Sequence, residues 1–381
     1  MALDASLKAW LTLSLTRGLG GESARRLLKE FGSPEAVFAA SVSSLKSFVK
    51  PDVAAEINKG IAEDAIASVL AWLEDSNNHI VTLADSDYPQ ALLNIPDPPL
   101  LLYVKGRLDL LNRSALAIVG SRSATPQGIN NAEAFAKSLS DAGLCIISGL
   151  AHGIDAAAHR GALRGHANPM GNSPGSSIAV VGTGLDKIYP AANRDLAHAL
   201  AQQGALVSEF PLGTPPLAAN FPRRNRLISG MSMGCLVVEA SLQSGSLITA
   251  RLALEQGRDV FAIPGSIHAP QSKGCHALLK QGAKLVEAAQ DILEELGGAL
   301  VLPPPIKNSE GADSPDPYST DPYSKGLHAA LLEHLGFDPV DVEILSARSG
   351  LTVSELSAML LALELDGRIC VLPGGLYQRI H

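Results

Sequence analysis

A short stretch in the second half of the chain concentrates cationic and aromatic side chains. Between Asn220 and Gly230 it holds Phe221 and three arginines, whereas aromatic residues make up only 4% of the whole sequence. Arginine keeps its charge, presents a planar fork of N–H donors to phosphate oxygens and can stack on a base, and a phenylalanine offers a second stacking surface. These residue types indicate a site for single-stranded nucleic acid. The alternative is a basic helix start at the surface, with Phe221 in the core and Asn220 as the cap.

The composition limits what such a site can be. The chain has 381 residues, of which 46% are hydrophobic, so two or three domains are expected. Its 30 Lys and Arg against 38 Asp and Glu give a formal charge of −8, which excludes a generally basic surface. A nucleic-acid site must therefore be a local concentration of charge. The four cysteines lack the spacing of a disulfide framework or a zinc site, and neither a signal sequence nor a membrane span is evident, so we expect a soluble, cytoplasmic protein.

The first 78 residues have the apolar spacing of small helices. Within them Gly18-Leu19-Gly20 precedes a helical pattern, which resembles a SAM/helix-hairpin-helix-like module whose glycine turn presents backbone N–H groups to a DNA phosphate. We favour the other interpretation, a tight turn that only packs two helices, because the segment is not markedly basic. The proline-rich segment 86–99 then leads into an apolar strand at residues 100–104.

From residue 116 onwards, short apolar runs alternate with amphipathic stretches. Continuous apolar strands separated by helices predict an α/β fold, a Rossmann-like doubly wound and mostly parallel sheet with helices on both faces. Ligands of such sheets bind at the carboxyl ends of the strands, where glycines and hydroxyl side chains accumulate in this sequence, so we expect a phosphate-binding rim. The apolar runs are residues 116–119, 144–147, 178–181, 205–207, 235–239 and 260–263. The rim hydroxyls belong to Ser121, Ser148, Thr183, Ser244 and Ser246.

Two common nucleotide motifs are absent from the sequence. The dinucleotide fingerprint would need glycine or alanine at position 187 after Gly182-Thr183-Gly184, where Lys187 stands. A Gly-x-x-x-x-Gly-Lys-Ser/Thr element does not occur either. These absences argue against an NAD-dependent enzyme and against a P-loop nucleotide hydrolase.

The C-terminal part of the sequence predicts a linker and a small domain. Residues 299–325 are rich in Pro, Ser and Asp, as flexible linkers are. Residues 326–381 show helical patterns followed by a hairpin, which is typical of a winged helix, and they hold three arginines against seven acidic residues, a balance of −4. This charge favours a protein-interaction role over a DNA-reading one. The expected domains are therefore 1–78, 79–298 and 326–381, with 299–325 as the linker.

Several ordered motifs resemble those of the DprA/Smf family. The resemblance covers about residues 80–297, and the flanking segments fit it as well. It implies a protein of natural transformation that binds and protects incoming single-stranded DNA, loads the recombinase RecA onto it and forms a homodimer through the Rossmann-like domain, without enzymatic activity, cofactor or metal. The motifs are Gly120-Ser121-Arg122, Ser148-Gly149-Leu150-Ala151-His152-Gly153-Ile154-Asp155, Gly184-Leu185-Asp186 with Tyr189-Pro190 and Asn193, the arginine segment, Ser244-Gly245-Ser246-Leu247-Ile248-Thr249-Ala250, and Gly257-Arg258-Asp259-Val260-Phe261-Ala262-Ile263-Pro264-Gly265-Ser266.

The resemblance also implies a set of DNA-binding residues. By motif position, Arg122 clamps a phosphate and the arginine segment supplies charge and stacking. Helical spacing puts Arg224 about 100° from Arg223, so at least one arginine of the segment is expected to serve structure or the dimer. The connection formed by residues 167–176 is longer and richer in Gly, Pro and Ser than the usual connection of the family. The full set is Gly120, Ser121, Arg122, Ser148, Gly149, Arg194, Phe221, Arg223, Arg224, Asn225, Arg226, Ser244, Gly245, Ser246 and Thr249.

Two other interpretations remain open for the rim. Nucleotide phosphoribohydrolases of the cytokinin-activating (LOG) kind have a similar domain, but residues 239–249 lack their Pro-Gly-Gly-x-Gly-Thr-x-x-Glu segment, and a structural role is favoured for the remaining carboxylate, Glu239. His152, Asp155 and His159 are spaced to share one helix face, where a metal or acid–base site is conceivable. We favour a helix-dipole role for Asp155 and a half-buried His159. A scaffold that binds only protein would not need so many glycines and hydroxyls at strand ends.

Overall fold

The computed structural model describes residues 5–60, 63–165, 176–297 and 327–380. The chain divides into two compact units. The larger comprises Met1–Ala124 with Asn131–Leu300, and the smaller comprises Thr125–Asn130 with Val301–His381. Each is described by itself below.

Six short helices form the N-terminal module of the larger unit. Gly18 has a φ of 79°, a left-handed conformation that glycine adopts without strain, and it turns the chain between the first two helices. Ser33 and Ser41 cap the third and fourth helices through their side chains. Trp10, Leu13 and apolar residues of the next four helices bury a common core. The helices are α1 (Ala5–Leu15), α2 (Gly21–Phe31), α3 (Pro34–Ala39), α4 (Val42–Leu45), α5 (Pro51–Lys59) and α6 (Glu63–Trp72).

A nine-stranded sheet forms the centre of the larger unit. Its order is β1-β2-β6-β5-β4-β3-β7-β8-β9, and every pair from β6 to β9 is parallel, whereas β1 and β2 add an antiparallel edge. The six predicted apolar runs coincide with β3 to β8, because strands covered on both faces are apolar throughout. The strands are β1 (Asn78–Thr82), β2 (Leu101–Gly106), β3 (Ala115–Val119), β4 (Cys145–Ser148), β5 (Ser176–Val180), β6 (Ala205–Ser208), β7 (Gly234–Val237), β8 (Asp259–Ala262) and β9 (Lys284–Leu285).

Seven helices accompany the parallel strands. α8 and α9 pack on one another, and α8 packs against β4 and β5, whereas α10 packs on α11, which covers β7 and β8. The chain builds the sheet outward from β3 in one direction through β6 and then in the other through β9. The order therefore reverses between β3 and β7, where open α/β sheets bind ligands. The helices are α7 (Pro126–Asp141), α8 (Ile154–Leu163), α9 (Arg194–Gln203), α10 (Asn220–Gly230), α11 (Ser246–Glu255), α12 (Lys273–Lys280) and α13 (Ala289–Leu296).

The smaller unit has three helices and a hairpin, as the winged-helix prediction requires. They are α14 (Leu327–Leu335), α15 (Val342–Ser349), α16 (Val353–Leu365), β10 (Ile369–Leu372) and β11 (Leu376–Arg379). The Asp341 carboxylate caps α15 by accepting from the Ile344 N–H at 2.7 Å, and Thr352 and Glu355 form a capping box at α16. Both parts of the predicted fold class, the Rossmann-like sheet and the winged helix, are confirmed. None of the helices in the described ranges is long and apolar enough to cross a membrane.

Candidate nucleic-acid interface

A cavity of about 700 Å³ opens at the point where the strand order reverses. Its walls come from the segment after β3, the segment after β7, the first turn of α11 and one side of α10. Of the predicted residues, those that line it are Gly120, Ser121, Arg122, Phe221, Arg224, Asn225, Ser244, Gly245, Ser246 and Thr249.

The segment after β3 has no space for a larger residue at its first position. A Cβ atom at Gly120 would lie 2.6 Å from the Ile154 side chain and 2.9 Å from the Glu239 carbonyl oxygen. The next N–H group, that of Ser121, donates to the same Glu239 carbonyl at 2.8 Å. This bond joins the ends of β3 and β7 and thereby fixes the direction in which the chain enters the cavity wall.

Arg224 is the cationic group at the base of the cavity. Its side chain is only 4% exposed, and its Nη1 donates to the carbonyl oxygen of Val180 at the end of β5. Gly149 leaves the space that the guanidinium occupies, since a Cβ atom there would overlap it. Burial lowers the pKa of Arg224 to about 10, although the nearby Asp155 opposes this shift, so the group is charged at neutral pH. Among the described residues no carboxylate forms an ion pair with it.

Asp155 shapes the loop beside Arg224. Its Oδ2 accepts from the Gly149 N–H at 3.2 Å and from the Ala151 N–H at 3.4 Å. Desolvation raises the pKa of this carboxyl, and the charge of Arg224 works in the opposite direction. Asp155 lies in the first turn of α8, as the helix-dipole interpretation requires, and the bonds of its carboxylate go to the loop after β4.

Three side chains form an aromatic and cationic cluster at the cavity wall. The Arg122 guanidinium carbon lies 5.8 Å from the centre of the Phe221 ring, and the Tyr189 ring lies 5.7 Å from the Phe221 ring at an interplanar angle of 42°. Tyr189 is 46% exposed, and Arg122 is exposed as well. A guanidinium beside two accessible rings can neutralise a phosphate and stack on a base.

The first turn of α11 forms the opposite wall. The N–H groups of Leu247 and Ile248 already donate to the carbonyls of Ser244 and Gly245 at 3.1 Å each. The Ser244 and Ser246 hydroxyls bond each other at 2.7 Å. This wall therefore offers an anion its hydroxyl groups and the positive end of the helix dipole rather than a row of free backbone amides.

Five predicted residues do not line the cavity. Ser148 is fully buried, and its hydroxyl donates to the Ile118 carbonyl at 2.6 Å, so the prediction that it faces a ligand is wrong. Gly149 lies behind Arg224 and supplies space for it. Arg194 begins α9 and is exposed outside the cavity. Arg223 is exposed and lies over the Phe210 ring at 5.4 Å.

Arg226 is the fifth, and its bonds lie away from the cavity. Its guanidinium bonds the Glu209 carboxylate and donates to the Asp97 carbonyl at 2.5 Å. The side chains of Arg226 and Glu209 are 14% and 8% exposed. The sequence-based expectation that one arginine of the segment serves structure is met by this residue.

The cavity lining also contains residues outside the predicted binding set. Tyr189, Gln243 and Gln271 line it together with Asp155. Tyr189 precedes a proline in the segment after β5 and is one of few aromatic residues in the sequence, so its context could have indicated a binding role. The two glutamines have no such signal, because glutamine is common on any surface.

The residues of the alternative sites lie in different surroundings. His159 is fully buried rather than half-buried, and its Nδ1 bonds the Ser177 hydroxyl at 2.7 Å, whereas His152 is exposed. No group of three or more His, Cys, Asp or Glu side chains that could bind a metal occurs in these ranges. Glu239 is not among the residues that line the cavity. Residues 167–175 of the long connection lie outside the described residues, and its last residue, Ser176, begins β5.

Comparisons with known proteins identify the family. The model of the DNA recombination-mediator protein A family matches residues 79–297, and that of the DprA winged helix domain matches residues 314–375. Protein Smf of Escherichia coli strain K12 is 47% identical over 320 residues, which cover 83% of this chain and 81% of that protein.

Two solved structures are similar to this chain. The X-ray structure of DNA processing protein A from Streptococcus pneumoniae is 38% identical with a TM-score of 0.65, covering 77% of this chain and 99% of that one. DNA processing protein A from Helicobacter pylori, solved to study its single-stranded DNA binding mode, is 30% identical with a TM-score of 0.51, covering 58% and 97%. The chain belongs to the DprA/Smf family of DNA-processing proteins.

Proposed function

We propose that this protein binds single-stranded DNA in the cavity between the ends of β3 and β7, without reading the base sequence. The observation that carries the proposal is the combination of Arg224 at the base with Arg122, Phe221 and Tyr189 at the wall. Two cations suit phosphates, and the accessible rings of Phe221 and Tyr189 suit the faces of unpaired bases, which a duplex does not expose.

The charge of the site supports a sequence-independent mode. The cavity lining contains two arginines and one carboxylate, Asp155, whose Oδ2 is bonded to backbone N–H groups. Phosphate contacts position a strand but carry no sequence information. Stacking on Phe221 and Tyr189 is tolerant of sequence because every base has a flat face. The similar Helicobacter pylori protein was studied for its single-stranded DNA binding, which agrees with this proposal.

A salt-dependent binding titration with single-stranded DNA, duplex DNA and mononucleotides tests the proposal. We expect single strands to bind most tightly, with a log–log salt slope of about −1.4 for the two phosphates that Arg122 and Arg224 neutralise. Equal affinity for duplex at the same salt concentration would overturn it. Release of free base from the mononucleotides, abolished by Glu239→Gln, would show that the site is that of a phosphoribohydrolase instead.

We extend the proposal to the cellular role that the family resemblance implies. The bound strand is protected from nucleases and handed to RecA, and the protein acts as a homodimer through the sheet domain in natural transformation. The test is RecA filament formation on single-stranded DNA. Wild-type protein is expected to accelerate it and the Arg224→Met variant is not. Acceleration that is equal for both would separate RecA loading from the cavity.

A further inference from the structure

The segment between β1 and β2 lies between the N-terminal module and α10. In this segment Asp97 lies directly between two prolines, Pro96 and Pro98. Proline fixes its own φ and restricts the residue before it, so Asp97 sits on a stiff section of backbone. Because this backbone is fixed, the Asp97 carboxylate can fix the positions of the side chains that it bonds.

On one side, Asp97 binds the N-terminal module through α2. The Arg25 Nη1 lies 2.6 Å from Asp97 Oδ1 and donates to the Pro98 carbonyl at 2.8 Å. The carboxylate also lies against Gly21, the first residue of α2, where a Cβ atom would be 3.1 Å from Oδ1. The helix start that resembles a helix-hairpin-helix phosphate contact therefore already has an anionic group beside it.

On the other side, Asp97 binds α10 through Arg226. The Arg226 Nη1 donates to the Asp97 carbonyl, its Nε lies 3.6 Å from Asp97 Oδ2, and its Nη2 bonds the buried Glu209 carboxylate. The same connecting segment also packs on the end of α10. A Cβ atom at Gly230 would lie 2.8 Å from Ile95. Asp97 thus joins α2 to α10 through two arginines.

The position of Arg226 relates this junction to the cavity. Arg226 follows Arg224 by two residues, which places the two side chains about 200° apart around the helix axis. Bonds to Arg226 therefore set the rotation of α10 and, with it, the direction in which Arg224 and Phe221 point. A change at the junction alters the cavity wall without touching the ligand.

We propose that Asp97 is a positioning residue that couples single-stranded DNA binding in the cavity to the docking of the N-terminal module, by bonding Arg25 of α2 and Arg226 of α10 at once. This inference rests on the proposed function of the cavity. The N-terminal module is then a part of the DNA-binding device even though its own helix start faces Asp97. Binding of DNA to α10 stabilises the docked position of α2.

The test compares Asp97→Asn, Arg25→Gln and the double variant with Asp109→Asn in the full-length protein. Asp109 is a matched control, because its carboxylate also bonds two arginines, Arg107 and Arg113, and is 53% exposed against 50% for Asp97. Removing an acidic group should by itself tighten DNA binding slightly. We expect the opposite for Asp97→Asn, a loss of about 3- to 10-fold, and a loss of the same size for Arg25→Gln, which removes a cation instead.

Two readouts separate positioning from a general loss of stability. The double variant should lose no more affinity than the weaker-binding single variant, because both act through one junction. Hydrogen exchange of the α2 amides should slow when saturating single-stranded DNA is added to the wild type and to Asp109→Asn, but not to Asp97→Asn. Thermal unfolding shows which variants are folded. If Asp97→Asn is not folded, the test is the hydrogen exchange of the α2 amides in Arg25→Gln, which should not slow when DNA is added.

The possible outcomes are distinct. The coupling is refuted, and the proposed function stands, in two cases. One is that Asp97→Asn binds DNA as tightly as Asp109→Asn, and the other is that DNA does not change the hydrogen-exchange rate of the α2 amides in the wild type. If wild-type protein does not bind single-stranded DNA, the proposed function itself fails before any variant is compared. Losses that multiply in the double variant show two independent effects and also refute the junction.

Discussion

The two sides of α10 differ in role, since one faces the cavity and the other forms ion pairs within the fold. On the cavity side, Arg224 is buried with no carboxylate ion pair among the described residues, next to Phe221 and Asn225. On the other side, Arg226 bonds both Asp97 and Glu209. A buried cation without an anion is costly unless a ligand supplies the charge, whereas a paired cation stabilises the fold. The partner of an arginine, rather than its presence, therefore distinguishes a binding residue from a structural one.

The largest effect is expected on the paired side, as a loss of stability. Arg226→Met leaves the Glu209 carboxylate buried without its cation, which should lower the free energy of unfolding by about 3 kcal/mol. Burial raises the pKa of Glu209 and the charge of Arg226 opposes this shift, so the pKa rises further in the variant and protonation restores more stability to the variant than to the wild type. The deficit should therefore shrink as the pH falls towards 4.5 and grow as it rises. Chemical denaturation at several pH values measures this, and an equal deficit at every pH would contradict it.

The next effect is expected on the cavity side, as a loss of binding. Arg224→Met should weaken single-stranded DNA binding by about 30-fold, because a charge-assisted contact in a desolvated position is lost. Arg223→Met is the matched control, since Arg223 is the neighbouring residue but is exposed outside the cavity over Phe210. Fluorescence anisotropy with a labelled oligonucleotide compares them. If the two variants bind alike, the distinction between the sides of α10 is wrong.

The aromatic part of the cavity side is tested separately. Phe221→Ala should weaken binding of a normal oligonucleotide by about 10-fold through the loss of stacking, and should affect an abasic oligonucleotide far less. Phe337→Ala is the control, because Phe337 is also a half-exposed ring beneath an arginine, with Arg379 at 4.9 Å. A loss that is equal for normal and abasic strands would assign Phe221 a packing role.

A separate effect, on stability at low pH, concerns the helix that carries Asp155. Ser177 donates to the Ile146 carbonyl, so its hydroxyl accepts from His159 Nδ1–H, which leaves Nε2 buried without a partner. Burial lowers the pKa of His159 from 6.5 to about 3. The unfolded chain therefore binds a proton first, and stability should fall by about 1.4 kcal/mol per pH unit as the pH drops below 6.5. His159→Gln should remove this contribution and the exposed His198→Gln should not, as thermal unfolding between pH 7 and pH 5 can show.

The smallest effect is expected from the acidic winged-helix unit. Deleting residues 326–381 removes three arginines and seven acidic residues, so affinity for single-stranded DNA should change by less than about threefold. The binding titration of the truncated protein measures this. A large loss would show that this unit contributes to the DNA site despite its charge.

Much of the architecture could be predicted because it depends on local patterns. The apolar runs that became β3 to β8 are recognisable since strands buried on both faces exclude polar residues. The rim position of Gly120, Ser121 and Arg122 follows from the general rule that ligands meet the carboxyl ends of parallel strands. The roles of Ser148 and the three arginines cannot be read from the sequence, because a hydroxyl or guanidinium has the same chemistry whether it faces a ligand or the core.

Local sequence patterns thus suffice to predict the sheet, the rim and the class of groups at the rim. The fold sets the surroundings of each arginine: Arg224 faces the cavity, Arg223 lies on Phe210, and Arg226 bonds Asp97 and Glu209. The physical reason is that the rotation of α10 depends on residues far away in the chain, since Asp97 precedes Arg226 by well over a hundred positions. Helical periodicity fixes the angles between the side chains of α10, but long-range contacts fix the rotation of the helix about its axis.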